Sequence, residues 1–262
     1  MSILDIPNIH FERDVNKELY SENEINWATV SKFPNERFFL ITKDIFDLEN
    51  YLSIHIKNHR QTIDGTGASF RLAVFRDSLH HTRRYEYPYT MLNIPQDTRS
   101  VLDVGGGSSF SYYVSEQVEE VYVLDIDQKI GDELKQIKEH TRRFKNMQFQ
   151  LGDARNLPFA DNLFDVTTCV SVLEHMDDKN LILALSEMMR VTKPNGVVIV
   201  TMDIQLDGSE GINLEDLYRI GKVLQIPVAN PSFNTLYSSI DNHLYGVACM
   251  KLVGFKGEPD EL

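Results

Sequence analysis

The chain has 262 residues, 42% hydrophobic and 25% charged, with a formal net charge of −13. That length suits one sizeable α/β domain plus a smaller accessory region, and so acidic a chain is poorly matched to a broad nucleic-acid surface, which needs clustered lysine and arginine. No run approaches the roughly 18 apolar residues of a membrane span, and Met1-Ser-Ile-Leu-Asp-Ile-Pro7 lacks the basic-then-apolar pattern of a secretory signal.

Cys169 and Cys249 both lie in apolar runs and read as small buried hydrophobes of a reducing compartment. No ligand cluster has zinc spacing, so no metal is expected. The expected setting is cytoplasmic, with neither membrane nor nucleic acid as partner.

From the N-terminus, Ile45, Leu48, Leu52 and Ile56 recur at near-helical spacing and predict a helix over 44–58. Gly65-Thr-Gly67 breaks the pattern, and a second helix is expected over 69–80. Arg83-Arg-Tyr-Glu-Tyr-Pro-Tyr89 follows, with Pro88 suited to a first helical turn. From Lys57 to Arg84 there are six basic residues (Lys57, Arg60, Arg71, Arg76, Arg83, Arg84) against two acids, Asp64 and Asp77. In an acidic protein that excess is either a place to meet an anion or a solvated helix face.

The densest signal comes next. Val101, Leu102 and Val104 form an apolar strand that breaks into Gly105-Gly106-Gly107, and a helical pattern begins at Ser108 or Ser109. A second apolar run, Val121-Tyr-Val-Leu-Asp125, ends on an acid 20 residues after Gly105. Strand, glycine turn, helix, strand and acid is the layout of a nucleoside-binding βαβ unit. The glycines let the backbone approach a ligand, and the acid can accept from a ribose. In the dinucleotide frame G-x-G-x-x-G the third glycine position is Phe110, which disfavours NAD or FAD.

A helix over 127–144 carries Ile130, Leu134, Ile137 and Phe144 on one stripe. Strands follow at 147–151 and 164–170. A helix striped by Leu181, Leu185, Met188 and Met189 ends at the stop signals Pro194 and Gly196, and a fifth strand spans 197–202. Strands alternating with helices imply a doubly wound, mostly parallel α/β sheet. In such sheets ligands lie beyond the carboxyl ends of the strands, where Asp103, Asp125, Asp153 and Ser171 fall.

The frame Asp103-x-Gly105-x-Gly107-x-Ser109, with the later signals at matched order, resembles the class I S-adenosylmethionine (SAM)-dependent methyltransferases of the type 11 kind over roughly 101–202; Ser109 stands where that family has a third glycine. The resemblance implies a Rossmann-like methyltransferase fold over 99–262 and an N-terminal helical lid over 1–98. The implied cofactor is SAM, with S-adenosylhomocysteine as product. It places Asp103, Gly105, Gly106, Gly107, Asp125, Ile126 and Ser171 at the cofactor, with Asp153 on the adenine amino group and the Ala154 backbone on the ring. Arg84 and Tyr85, just ahead of the sheet, are the expected contacts at the cofactor's methionine end.

The expected reaction is O- or N-methylation of a small molecule such as a sugar, secondary metabolite or lipid precursor. His175, just past the fourth strand, is the first candidate for a general base, with Glu174 and Asp203 behind it. The alternatives are a SAM-binding regulatory or scaffold protein and, disfavoured by Phe110, an NAD-dependent oxidoreductase. An insertion over 203–241, with a helix starting near Asn213, is expected on the substrate side, and a last strand over 244–253.

Overall fold

The computed structural model describes residues 36–63, 83–205 and 245–253. Helices α1 (Glu36–Ile63) and α2 (Arg83–Asn93) precede β1 (Ser100–Val104), α3 (Ser109–Ser115), β2 (Glu120–Asp125), α4 (Gln128–Thr141), β3 (Met147–Leu151) and β4 (Phe164–Val170). A 3₁₀ turn (Leu173–His175), α5 (Asp178–Val191), β5 (Thr192–Gln205) and β6 (Tyr245–Val253) follow. The sheet order is β3-β2-β1-β4-β5-β6. The first five strands are parallel, and β6 runs antiparallel to β5. The chain winds outward from β1 in one direction and from β4 in the other. That reversal leaves a crevice at the carboxyl ends of these two neighbours.

Period-two alternation splits the core into two layers. Val101, Val121, Val123 and Ile199 face Ile45 and Leu52 of α1 and Ile130 and Leu134 of α4. Leu102, Val104, Val198 and Val200 face Leu181, Leu185 and Met188 of α5. Helices cover both sides, so β1 and β4 are buried almost throughout, whereas the edge strand β3 is fully buried only at Met147. The Asp127 side chain caps α4 by accepting from the Lys129 N–H at 3.0 Å. The helix ends at Thr141, three residues before the expected limit at Phe144, and its C-cap Arg142 adopts a left-handed φ of 57°. Phe144 is nevertheless buried, edge-on to Tyr112 at 5.0 Å.

Other boundaries also differ from expectation. Helix α1 extends well beyond 44–58 at both ends. Helix α2 starts at Arg83, so Pro88 sits inside it rather than in its first turn. The tertiary contacts of Arg83 and Glu86 described below outweigh the local preference of proline. Strand β5 starts at Thr192, directly after α5, with Thr192 paired to Phe164 and the next pair at Val166 and Val197. Lys193 to Gly196 bulge out between them, with Asn195 at φ 70°. The strand begins this early because Thr192 Oγ1 bonds Thr167 Oγ1 at 2.7 Å and Lys193 Nζ donates to Asp165 Oδ1 at 2.7 Å. Asp203 to Gln205, assigned from sequence to an insertion, continue β5 and pair with Tyr245 to Val247. The helices expected over 69–80 and from Asn213 lie outside the described residues.

Candidate functional site

A cavity of about 510 Å³ opens beyond the carboxyl ends of β1 to β4, within the range of small-molecule sites. Its wall includes Val104 and Gly105 after β1, Leu124, Asp125 and Ile126 after β2, and Gly152, Asp153, Ala154 and Arg155 after β3. Ser171, Val172, His175, Met176 and Asp177 after β4, with Asn180 of α5, close the other side.

The glycine turn is built around a buried acid. Asp103 is 3% exposed. Its Oδ1 accepts from Thr168 Oγ1 at 2.8 Å, and its Oδ2 from Ser111 Oγ. Ser111 Oγ in turn accepts from the Gly107 N–H at 2.7 Å. Burial pushes the Asp103 pKa up to about 6, opposed by the Ser111 and Thr168 hydrogen bonds. Gly105 has φ 69° and its N–H donates to Leu124 O at 2.7 Å; a Cβ there would overlap the Val172 side chain. Asp103, Gly106 and Gly107 thus shape the turn from beneath, while Gly105 meets the cavity.

Ser108 is the N-cap of α3, and its side chain makes no capping bond. Ser109, which stands where the family has a third glycine, donates to Glu49 Oε1 of α1 at 3.1 Å. Phe110 is buried and stacks on Tyr87 of α2 at 5.4 Å. The position that argued against a dinucleotide is therefore where the N-terminal helices dock.

At the β2 end, Asp125 Oδ1 accepts from the Asp127 N–H at 2.8 Å, and Ile126 is 76% exposed at the cavity lip. At the β3 end, Arg155 grips Asp153. Its backbone N–H donates to Oδ1 at 2.9 Å, and its Nε reaches Oδ1 at 2.9 Å and Oδ2 at 3.0 Å. Side-chain hydrogen bonds from Arg155 hold the Asp153 pKa below the usual carboxylate value. Arg155 Nη1 also donates to Asn180 Oδ1 at 3.2 Å. Arg155 was not singled out from sequence, although its spacing two residues after Asp153 is a local signal for such a pair.

At the β4 end, Ser171 turns through φ 48° and its N–H donates to Thr201 O at 2.9 Å. Its hydroxyl donates to Glu86 Oε1 at 2.7 Å. Glu86 is fully buried; Thr201 Oγ1 donates to the same oxygen at 2.7 Å, and Arg83 Nη1 donates to Glu86 Oε2 and Ser171 Oγ. Arg83, one of the six basic residues between Lys57 and Arg84, thus pairs with a carboxylate of its own helix. Sequence reasoning missed Glu86; its i,i+3 spacing from Arg83 was a local signal for an ion pair, but its bonds to Ser171 and Thr201, 85 and 115 residues away, left no local mark.

His175 is exposed on the cavity wall, while Glu174 is half-buried and not part of that wall. Arg84 and Tyr85 lie on α2 and Asp203 on β5, and their side chains are outside the described residues. Cys169 is a buried free thiol whose pKa is raised by burial and, further, by Glu174 and Asp103. Among the described residues no helix is long and apolar enough to cross a membrane.

Residues 102–200, from the β1 strand to the middle of β5, match the methyltransferase domain family. That segment is thus similar to methyltransferase domains of the SAM-dependent class. An uncharacterized methyltransferase of Schizosaccharomyces pombe is 37% identical over 118 residues, 41% of each chain. A demethylmenaquinone methyltransferase of Renibacterium salmoninarum is 38% identical over 102 residues, covering 38% of this chain and 39% of that protein. The chain thus spans about two fifths of the length of these curated relatives. The crystal structure of geranyl diphosphate C-methyltransferase from Streptomyces coelicolor, which holds S-adenosyl-L-homocysteine, superposes with a TM-score of 0.55 at 10% identity. It covers 73% of this chain and 88% of that one, and at that identity it establishes the shared fold alone. SAM is the methyl donor of this domain class. The matched segment begins after α2, so Arg83 and Glu86 lie ahead of it.

Proposed function

We propose that the protein transfers a methyl group from SAM to a small-molecule acceptor through an oxygen or nitrogen atom. The observation that carries this reading is the cavity spanning the ends of four parallel strands, with Gly105 and Asp125 on its wall. The residues present suit the donor. Asp125, on the cavity wall, would accept from ribose hydroxyls, and Ile126 and Met176 would offer apolar surface to an adenine ring. The bare Gly105 backbone admits close approach beside Val172. The Asp153 carboxylate is shared with Arg155, so an adenine amino group would use its remaining lone pairs or displace the guanidinium.

When bound, SAM supplies a methyl group made electrophilic by its sulfonium. The work left to the chain is to orient the acceptor and receive its proton. His175 is the assigned base, because it stands on the cavity wall at the β4 end, where the crevice between β1 and β4 opens. The relatives named as demethylmenaquinone methyltransferases make demethylmenaquinone the carbon acceptor to test, beside oxygen and nitrogen acceptors among sugars, secondary metabolites and lipid precursors; turnover of demethylmenaquinone alone would overturn the oxygen-or-nitrogen reading.

Calorimetric titration with S-adenosylhomocysteine, with NADH as control, tests the cofactor. Micromolar binding of the first alone is expected, and binding of NADH instead would overturn it. Methyl transfer to an acceptor pool then separates an enzyme from a SAM-binding scaffold. His175→Ala is expected to lower turnover and leave S-adenosylhomocysteine affinity intact; loss of both would make His175 a wall of the pocket rather than the base.

A further inference from the structure

We propose that Glu86 is a positioning residue of the methyl-donor site, acting through Ser171 from a helix outside the matched domain segment. The inference rests on the cofactor reading above. Glu86 is fully buried, and its two oxygens accept from three side chains: the Ser171 and Thr201 hydroxyls on Oε1, and Arg83 on Oε2. A buried carboxylate is costly unless fully partnered, and an apolar residue would dock a helix at least as well. What a carboxylate adds is a fixed direction for each hydroxyl it receives.

The direction matters at Ser171. This residue holds a left-handed φ of 48° that a side chain rarely adopts. It also starts the segment that places Val172 against Gly105 and His175 on the cavity wall. The Ser171 hydroxyl is tied to Glu86 and its backbone N–H to Thr201 O at 2.9 Å. Thr201 itself donates to Glu86. Helix α2 therefore clamps the ends of β4 and β5 in one network, and the clamp sets the shape of the donor cavity on the far side of Ser171. The prediction is that donor affinity depends on an acceptor oxygen at position 86.

The test is a double-mutant cycle on the dissociation constant for S-adenosylhomocysteine, measured by calorimetry, with melting temperatures alongside. Glu86→Ala and Ser171→Ala should each weaken binding by about tenfold, and the double variant should be little worse than the weaker single, because the two act as one unit. Glu86→Gln retains an acceptor oxygen and should stay within about threefold of wild type. Additive losses, a Gln variant as damaged as the Ala variant, or lowered melting with unchanged affinity would each overturn the proposal. If Glu86→Ala does not fold, Thr201→Val combined with Ser171→Ala carries the same cycle, with coupling expected and additivity overturning it. Absence of binding by the wild type would instead refute the cofactor reading, so the two failures are distinguishable.

Discussion

Asp103 and Asp125 close neighbouring strands of one sheet, and burial assigns them opposite work. Asp125 is at the cavity, so Asp125→Ala should weaken S-adenosylhomocysteine binding by about 1–3 kcal/mol, the cost of removing a charged acceptor, read by calorimetry. Asp103 lies under the glycine turn with its pKa pushed up to about 6. An acid with a raised folded pKa keeps a proton that the unfolded chain releases near pH 4. Stability therefore falls as pH rises from about 4 to 6, by up to about 3 kcal/mol, and stays lower above that. Asp103→Asn removes this titration. The melting temperature of Asp103→Asn minus that of wild type should therefore grow between pH 4 and pH 7; a flat difference would contradict the buried ionisable assignment. Both acids were visible in the sequence at strand ends, but nothing there separates the one that lines the cavity from the one that braces a turn.

At the level of elements, the strands and helices were legible because each pairs one hydrophobic period with a clear break. The misread boundaries have tertiary causes: Arg83 and Glu86 start α2 ahead of Pro88, and Thr192 starts β5 ahead of Pro194. The same kind of cause holds the loop after Asp153 and Ala154. Arg190 of α5 donates from Nη1 to Phe159 O at 2.9 Å and from Nη2 to Leu157 O at 3.0 Å. Glu187, itself bonded by Arg190, accepts from the Leu157 N–H at 2.8 Å. Removing the arginine strands three groups at once, so Arg190→Ala should cost roughly 1–3 kcal/mol, measured as a lower midpoint in urea. An unchanged midpoint would mean that the loop is held by Leu157 and Phe159 packing alone.

Across the whole molecule, the N-terminal helices share a core with the sheet. Ile45, Leu48 and Leu52 of α1 pack in one cluster with Val101, Val121 and Ile199, and Ser109 and Phe110 tie α3 to α1 and α2. Leu52→Ala should therefore destabilise the protein by about 2–5 kcal/mol and lower a single melting transition. Two separable transitions, with only the first shifted, would show that α1 folds apart from the sheet.

The chain order of strands, the glycine turn and the acids that follow it were readable from residues alone, because periodicity and turn chemistry are written within windows of a few residues. So was the resemblance to SAM-dependent methyltransferases, which depends on the order of those windows. Three-dimensional packing decided the rest: that Asp103 is buried and Asp125 is not, and that Glu86 accepts from Ser171. Each of these depends on which surfaces meet once the sheet has formed. Burial and long-range hydrogen bonding are set by that meeting and leave no periodic trace in the sequence.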